Sequence, residues 1–205
     1  MYLFKKNILF FVALLLLLGC TEENQPVFKN GDIIFQDSPS SQSQAIKLAT
    51  KSNYSHVGII YENEGKISVY EAVGPVVLTP LKKWISHGVD NHYVLKRLKN
   101  RDVLTQQVLI NMKKVAKKFN NKPYDALFAW SDDRIYCSEL VWKIYKRAVG
   151  IELGVLKKLG SFDLTHPVVK SKLDERYGQN IPLNEPVIAP QGIFDSDLLK
   201  TIYQN

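Results

Sequence analysis

Ser55-His56-Val57-Gly58-Ile59-Ile60-Tyr61-Glu62-Asn63-Glu64-Gly65-Lys66-Ile67-Ser68-Val69-Tyr70-Glu71-Ala72 holds two compact β-prone runs around a turn-like Glu62-Asn63-Glu64-Gly65. Such a pattern predicts a β-hairpin. Pairing Tyr61 with Lys66 makes the numbers of facing residues sum to 127, which sets His56 directly opposite Glu71. Opposed residues share a sheet face, with Cβ atoms roughly 4.5–5.5 Å apart. A carboxylate there can hold one nitrogen of the imidazole and leave the other for a reaction partner. Slipping the register by one residue would turn Glu71 to the other face.

Working outward, Gly31-Asp32-Ile33-Ile34-Phe35 reads as a turn into a buried strand. Ala45, Ile46, Leu48 and Ala49 suggest a short helix, and Val76–Thr79 and Tyr93–Leu98 are weaker strands. Leu104, Val108, Met112, Val115 and Phe119 form one apolar stripe, predicting a helix over 102–119 with Asp102 as N-cap. Its late lysines, Lys113, Lys114, Lys117 and Lys118, suit a solvated face near the negative end of the dipole. A second helix starts at Cys137, with Leu140, Val141, Ile144, Tyr145 and Ala148 on its apolar side and Gly150 as its stop. The tail from Asp174 to Asn205, with Pro182, Pro186 and Pro190, reads as irregular.

The chain has 205 residues, 45% hydrophobic and 23% charged, which excludes wholesale disorder and fibrous repeats. Lys5 and Lys6 followed by the apolar run Ile8–Leu18 read as an export signal over residues 1–19. The run is short of the roughly 20 residues a spanning helix needs. Leu17-Leu18-Gly19-Cys20 resembles a bacterial lipobox, which implies lipidation of Cys20 and a membrane anchor that does not span. Residues 20–30 would be a polar tether and 31–205 one domain. Thr21 is not the Asp associated with inner-membrane retention in some bacteria, which leaves the outer membrane open. Without Lys5 and Lys6, 25 basic residues face 20 acidic ones, so the exported chain is mildly basic. Nucleic acid is not an expected partner.

With Cys20 consumed, Cys137 is the lone thiol of an exported protein, a pattern that flags reactivity. A thiol at a helix N-terminus meets the positive end of the dipole and unpaired N–H groups, which favour thiolate. Of His56, His87, His92 and His166, His56 opens a strand and is the one best placed to be held rigidly.

Taken in order, Ser55-His56-Val57-Gly58-Ile59, Tyr70-Glu71-Ala72 and Tyr136-Cys137-Ser138-Glu139-Leu140-Val141 resemble the YiiX/YebB-like group of permuted papain-like cysteine hydrolases. That group is related to NlpC-type cell-wall endopeptidases and to lecithin:retinol acyltransferase-like proteins. Gly31-Asp32 resembles its opening segment, and Lys122-Pro123-Tyr124-Asp125 resembles the Pro-Tyr segment before the NlpC-type nucleophile. The resemblance implies an α+β fold, a circularly permuted papain-like antiparallel sheet packed on helices, with the nucleophile at a helix N-terminus. It implies Cys137 as nucleophile, His56 as base and acid, and Glu71 as the orienting third member. It also offers Tyr124 as an oxyanion-hole hydroxyl, equally readable as a core aromatic, with Tyr54 as the fallback. Glu139 departs from the Asp-Cys-Ser-Gly pattern, so a cell-wall substrate does not follow automatically.

The expected activity is hydrolysis of an amide, in a peptide or a muropeptide stem, through a thioester. A lipid acyl hydrolase or acyltransferase of the same superfamily is the alternative, and a non-catalytic peptide- or amino-acid-binding lipoprotein is a third reading. No cofactor is expected. Cys137, His56 and Glu71 could each ligate zinc, but they lack the close-spaced ligand pair of a metal site. The oligomeric state has no signature in the sequence.

Overall fold

A computed structural model describes residues 26–205. The proposed signal segment, Cys20 and most of the tether lie outside the described residues. In chain order the elements are β1 (Ile33–Gln36), α1 (Ser41–Thr50), β2 (His56–Asn63), β3 (Lys66–Ala72), β4 (Val76–Pro80), α2 (Leu81–Ser86), β5 (Val94–Leu98), α3 (Gln106–Lys117), α4 (Cys137–Val149), β6 (Lys157–Lys158), α5 (Pro167–Tyr177), β7 (Pro186–Val187), α6 (Pro190–Phe194) and β8 (Leu199–Gln204). One six-stranded sheet runs in the order β4-β3-β2-β1-β5-β8, and every neighbouring pair is antiparallel. The α+β architecture expected from the sequence is the one observed. Among the described residues no helix is long and apolar enough to cross a membrane.

The two sheet faces support two cores. One packs Ile33, Phe35, Val57, Ile59 and Tyr70 against Met112 of α3 and Leu140, Val141, Ile144 and Tyr145 of α4. The other gathers Ile34, Ile60, Val69 and Leu95 under Trp84 of α2 and Tyr93. A smaller cluster joins α1 to α5 through Ala45, Val169 and Leu173. The opening Gly-Asp segment is a staple. Asp32 is fully buried and takes both oxygens to Arg97 of β5, each at 2.6 Å, while the Tyr145 hydroxyl donates to the Gly31 carbonyl.

The hairpin register differs from the expected one. Asn63 pairs with Lys66 and Ile59 with Tyr70, so facing residues sum to 129. The turn is Glu64-Gly65, both at positive φ (51° and 75°), the two-residue geometry whose twist matches the strands. Extending that register sets Gly58, not His56, opposite Glu71. Because the slip is two residues, Glu71 keeps its face and His56 becomes its diagonal neighbour. A Cβ at Gly58 would lie 2.3 Å from Val69 Cγ1, so the strand carries glycine where the sheet is too close for a side chain.

Two other expectations need correction. Asp102 is not the N-cap of α3; it sits in a 3₁₀ turn, and Thr105 caps the helix by accepting from Val108 N–H. The tail is not irregular throughout: α5 runs into it as far as Tyr177, and Pro190 occupies a first-turn position of α6, where a missing N–H costs nothing. Leu199–Gln204 then pairs with β5 as an edge strand. Lys143, off the apolar stripe of α4, is buried all the same, with its ammonium 2.7 Å from Glu139 and 2.9 Å from Asp132.

Candidate active site

Cys137 is the first residue of α4, with Tyr136 in extended conformation before it. Its N–H belongs to the helix's first turn, which has no intrahelical acceptor. His56 is the first residue of β2, and α4 packs on β2 and β3. The packing of helix onto hairpin brings Cys137 near enough to the imidazole to act on its protonation. The ring's Nε2 meets Glu71 Oε2 at 2.5 Å, leaving Nδ1 as the nitrogen on offer to the thiol. Thr79 of β4 donates to the other oxygen, Oε1, at 2.5 Å. Trp84 stacks on the imidazole at 5.9 Å between centroids, and its indole N–H favours the carboxylate without reaching full hydrogen-bond geometry.

The electrostatics follow from burial set against pairing. Burial alone would push His56 toward the neutral ring, but the Cys137 and Glu71 partners outweigh it and raise its pKa to about 10. Burial pushes Glu71 up, while His56, Thr79 and Trp84 together pull it below the ordinary value. The acid is therefore held ionised, and the His56 ring is made a stronger proton acceptor. Glu139 behaves oppositely: burial is its largest influence and outweighs Lys143, leaving it at about 7.

The other sequence candidates are dispersed. Tyr124 shares a cavity with Cys137, and its backbone is bridged to Ile135, two residues before that cysteine. Tyr54 instead stacks on Phe194 at 4.4 Å and is not part of that cavity's lining. His166 caps α5 by accepting from Val168 N–H at 3.2 Å, and His87 is exposed. Sequence reasoning missed Thr79 and Trp84, which carry no motif. It also missed Ser138, whose hydroxyl donates to the Ile188 carbonyl at 2.7 Å. With the Ile188 N–H bound to the Tyr136 hydroxyl at 3.2 Å, that contact fastens the 187–190 segment over the start of α4. The cavity beside Cys137 is walled by α1, α5 and this segment, with Ala45, Ile46, Leu159, Val169, Leu173 and Ile188 among its lining.

A sulfur atop a helix, an imidazole at a strand start and a carboxylate behind it, in the chain order His, acid, Cys, define a papain-like arrangement in permuted order. Residues 27–203 match the family described as permuted papain-like amidase enzyme, YaeF/YiiX, C92 family, and the chain belongs to it. The chain is 51% identical over 174 residues to the uncharacterized protein YiiX of Escherichia coli strain K12, covering 85% of each. A crystal structure described as that of the metalloprotein YiiX from Escherichia coli O157:H7 is similar with a TM-score of 0.83 at 50% identity. The match spans 86% of this chain and 97% of that one. Membership supports an amidase-like hydrolase. As to metal, no group of three or more His, Cys, Asp or Glu fit to hold an ion occurs among the described residues.

Proposed function

We propose that the protein is a cysteine amidase in which Cys137, His56 and Glu71 act as a triad on an amide whose acyl part is apolar. The observation that carries the reading is the buried hydrogen-bonded chain of His56, Glu71 and Thr79, with Cys137 at the head of α4 acting on the same ring. His56 accepts the thiol proton, and the thiolate adds to the carbonyl carbon as the carbonyl π pair moves onto oxygen. Collapse expels the amine, which takes the proton from His56. Water, deprotonated by the same ring, then hydrolyses the thioester. Glu71 holds the tautomer and stabilises the imidazolium.

The acyl preference rests on the aliphatic and aromatic side chains that make up most of the lining beside the sulfur, Gln42, Lys172 and Arg176 being among its polar members. A peptide amide with a large apolar residue on the acyl side is the second reading. Incubation with fatty-acyl amides of rising chain length and with purified muropeptides, followed by mass spectrometry, separates the two. Cleavage of muropeptides with no response to acyl length removes the apolar-acyl reading. Cys20 would tether the enzyme to the cell envelope, with Thr21 leaving the outer membrane open as its site. Mass spectrometry of the N-terminal peptide and membrane fractionation test both points.

A further inference from the structure

The Tyr124 hydroxyl has an oxygen that accepts and a hydrogen that donates, and the structure assigns the first. Gln42 of α1 donates from Nε2 to that oxygen at 2.7 Å. Gln42 does not turn its amide over, because Arg176 of α5 donates from Nη2 to its Oε1 at 2.8 Å and a guanidinium has no acceptor to offer. The Arg176 guanidinium is in turn seated over the Phe128 ring, 5.1 Å from its centroid. Packing of α1 on α5 through Ala45, Val169 and Leu173 keeps the two ends of this chain together. A phenol oxygen already occupied by the Gln42 donor keeps its own hydrogen for a different acceptor. Gln42, Tyr124, Arg176 and Cys137 all line one cavity.

We propose that Gln42 and Arg176 are positioning residues that aim the Tyr124 O–H at the oxyanion formed when Cys137 adds to an acyl carbonyl. The proposal rests on the cysteine-hydrolase reading above. Tyr124 donates a hydrogen bond and transfers no proton, sharing the oxyanion with the Cys137 N–H. Burial, followed by the Cys137 charge, raises the phenol's pKa above its ordinary value, so the hydroxyl stays a neutral donor at any working pH.

Two probes acting at the same sulfur isolate the effect. Acylation by p-nitrophenyl octanoate passes through an oxyanion; alkylation by iodoacetamide displaces iodide at a saturated carbon and makes none. With the full-length protein, Gln42→Leu is expected to slow acylation about 10- to 100-fold, below the roughly 100- to 1,000-fold loss of a whole oxyanion donor. Alkylation stays within about twofold, whereas a merely structural role moves both rates together. Gln42→Glu is the sharper variant. It keeps the length and adds charge pairing with Arg176, yet its carboxylate accepts the Tyr124 hydrogen and turns it away from the sulfur. Acylation should fall at least as far as in Gln42→Leu. Adding Tyr124→Phe to either variant should bring the loss only to that of Tyr124→Phe alone, since the three side chains act as one unit. Wild-type acylation in Gln42→Glu, or losses that multiply with Tyr124→Phe, overturns the proposal while leaving the hydrolase reading intact. A folded wild type that neither probe modifies overturns the hydrolase reading and this proposal with it.

Discussion

Replacing Glu71 by Gln tests the triad with almost no change of shape. The carboxylate meets His56 Nε2 through Oε2 and Thr79 through Oε1, both at 2.5 Å. In the variant the Thr79 hydroxyl goes on donating to the amide oxygen, so the amide NH₂ faces the imidazole. That forces Nε2 to accept and places the ring proton on Nδ1, toward the thiol, so His56 can no longer take the Cys137 proton. A wrong-tautomer defect of this kind costs roughly 10⁴ in kcat in the serine-protease triad, which sets the scale. The charge has a separate effect. His56 is raised from 6.5 to about 10, with burial opposing and Cys137 and Glu71 favouring the imidazolium. Removing an opposite charge at contact distance lowers such a pKa by roughly 1–3 units. The alkaline limb of amide turnover, where the imidazolium is lost, should move from about 10 to roughly 7–9. The stability effect has a definite sign. Between pH 6.5 and about 10 the folded protein holds a proton that the unfolded chain has released. The pair's contribution is thus full below 6.5 and lost as pH rises through about 10. The variant should lose the upper part of that window. The assays are a pH–rate profile on a fluorogenic acyl amide and an NMR titration of the His56 ring. A variant within tenfold of wild type in kcat, with its alkaline limb unmoved, refutes the role given to Glu71.

Three further outcomes follow from the same geometry. Cys137→Ala should abolish both iodoacetamide labelling and acyl-amide turnover while leaving the circular dichroism spectrum unchanged; turnover that survives the substitution removes Cys137 as nucleophile. Glu139 holds a proton in the folded state between its ordinary 4.5 and about 7, so its contribution to stability is full below 4.5 and declines as pH rises through 7. Glu139→Gln should therefore flatten the fall in Tm between pH 5 and 7.5, and an unchanged slope contradicts the assignment. Asp32→Ala leaves the Arg97 guanidinium without its carboxylate at a site where Asp32 is 0% exposed. Breaking such a pair costs about 3–5 kcal/mol, readable as a lowered urea midpoint, and a loss under about 1 kcal/mol would show that the staple contributes little.

Much of the fold was legible because its signals are local. The apolar stripe Leu140, Val141, Ile144, Tyr145 specifies α4 and the core it faces, and Gly150 ends the helix in the left-handed conformation its φ of 81° shows. The hairpin was legible as a hairpin but not in register, since Glu62 to Gly65 offers several turns and only Glu64-Gly65 supplies two positive-φ positions at the tip. A two-residue slip preserves the face, so the inference about His56 and Glu71 survived an error that a one-residue slip would have made fatal. Elements fixed by distant partners were not legible: β8 is a strand because β5 leaves an edge to pair with, and α2 is a helix because Trp84 fills the space over the second core.

The site divides the same way, and the division explains why reaction type is easier to read than substrate. Cys137 and His56 sit at the starts of regular elements, where position along the chain nearly fixes position in space. The residue after Cys137-Ser138 looked like the place to read the substrate, and Glu139 there departs from the related pattern. In the structure Glu139 does not line the cavity. Its carboxylate turns back toward Tyr136 N–H at 3.5 Å and pairs with Lys143 behind the helix. The departure is thus a capping and ion-pair feature of α4. The cavity wall comes from Ala45 and Ile46 on α1, Val169 and Leu173 on α5, and the 187–190 segment that Ser138 and Tyr136 hold down. These residues are scattered over about 145 positions, and their shared face exists only once α1 and α5 pack together. The cavity wall can therefore diverge through α1 and α5 without disturbing Cys137, His56 or Glu71, and comparison of those three residues alone cannot reveal it.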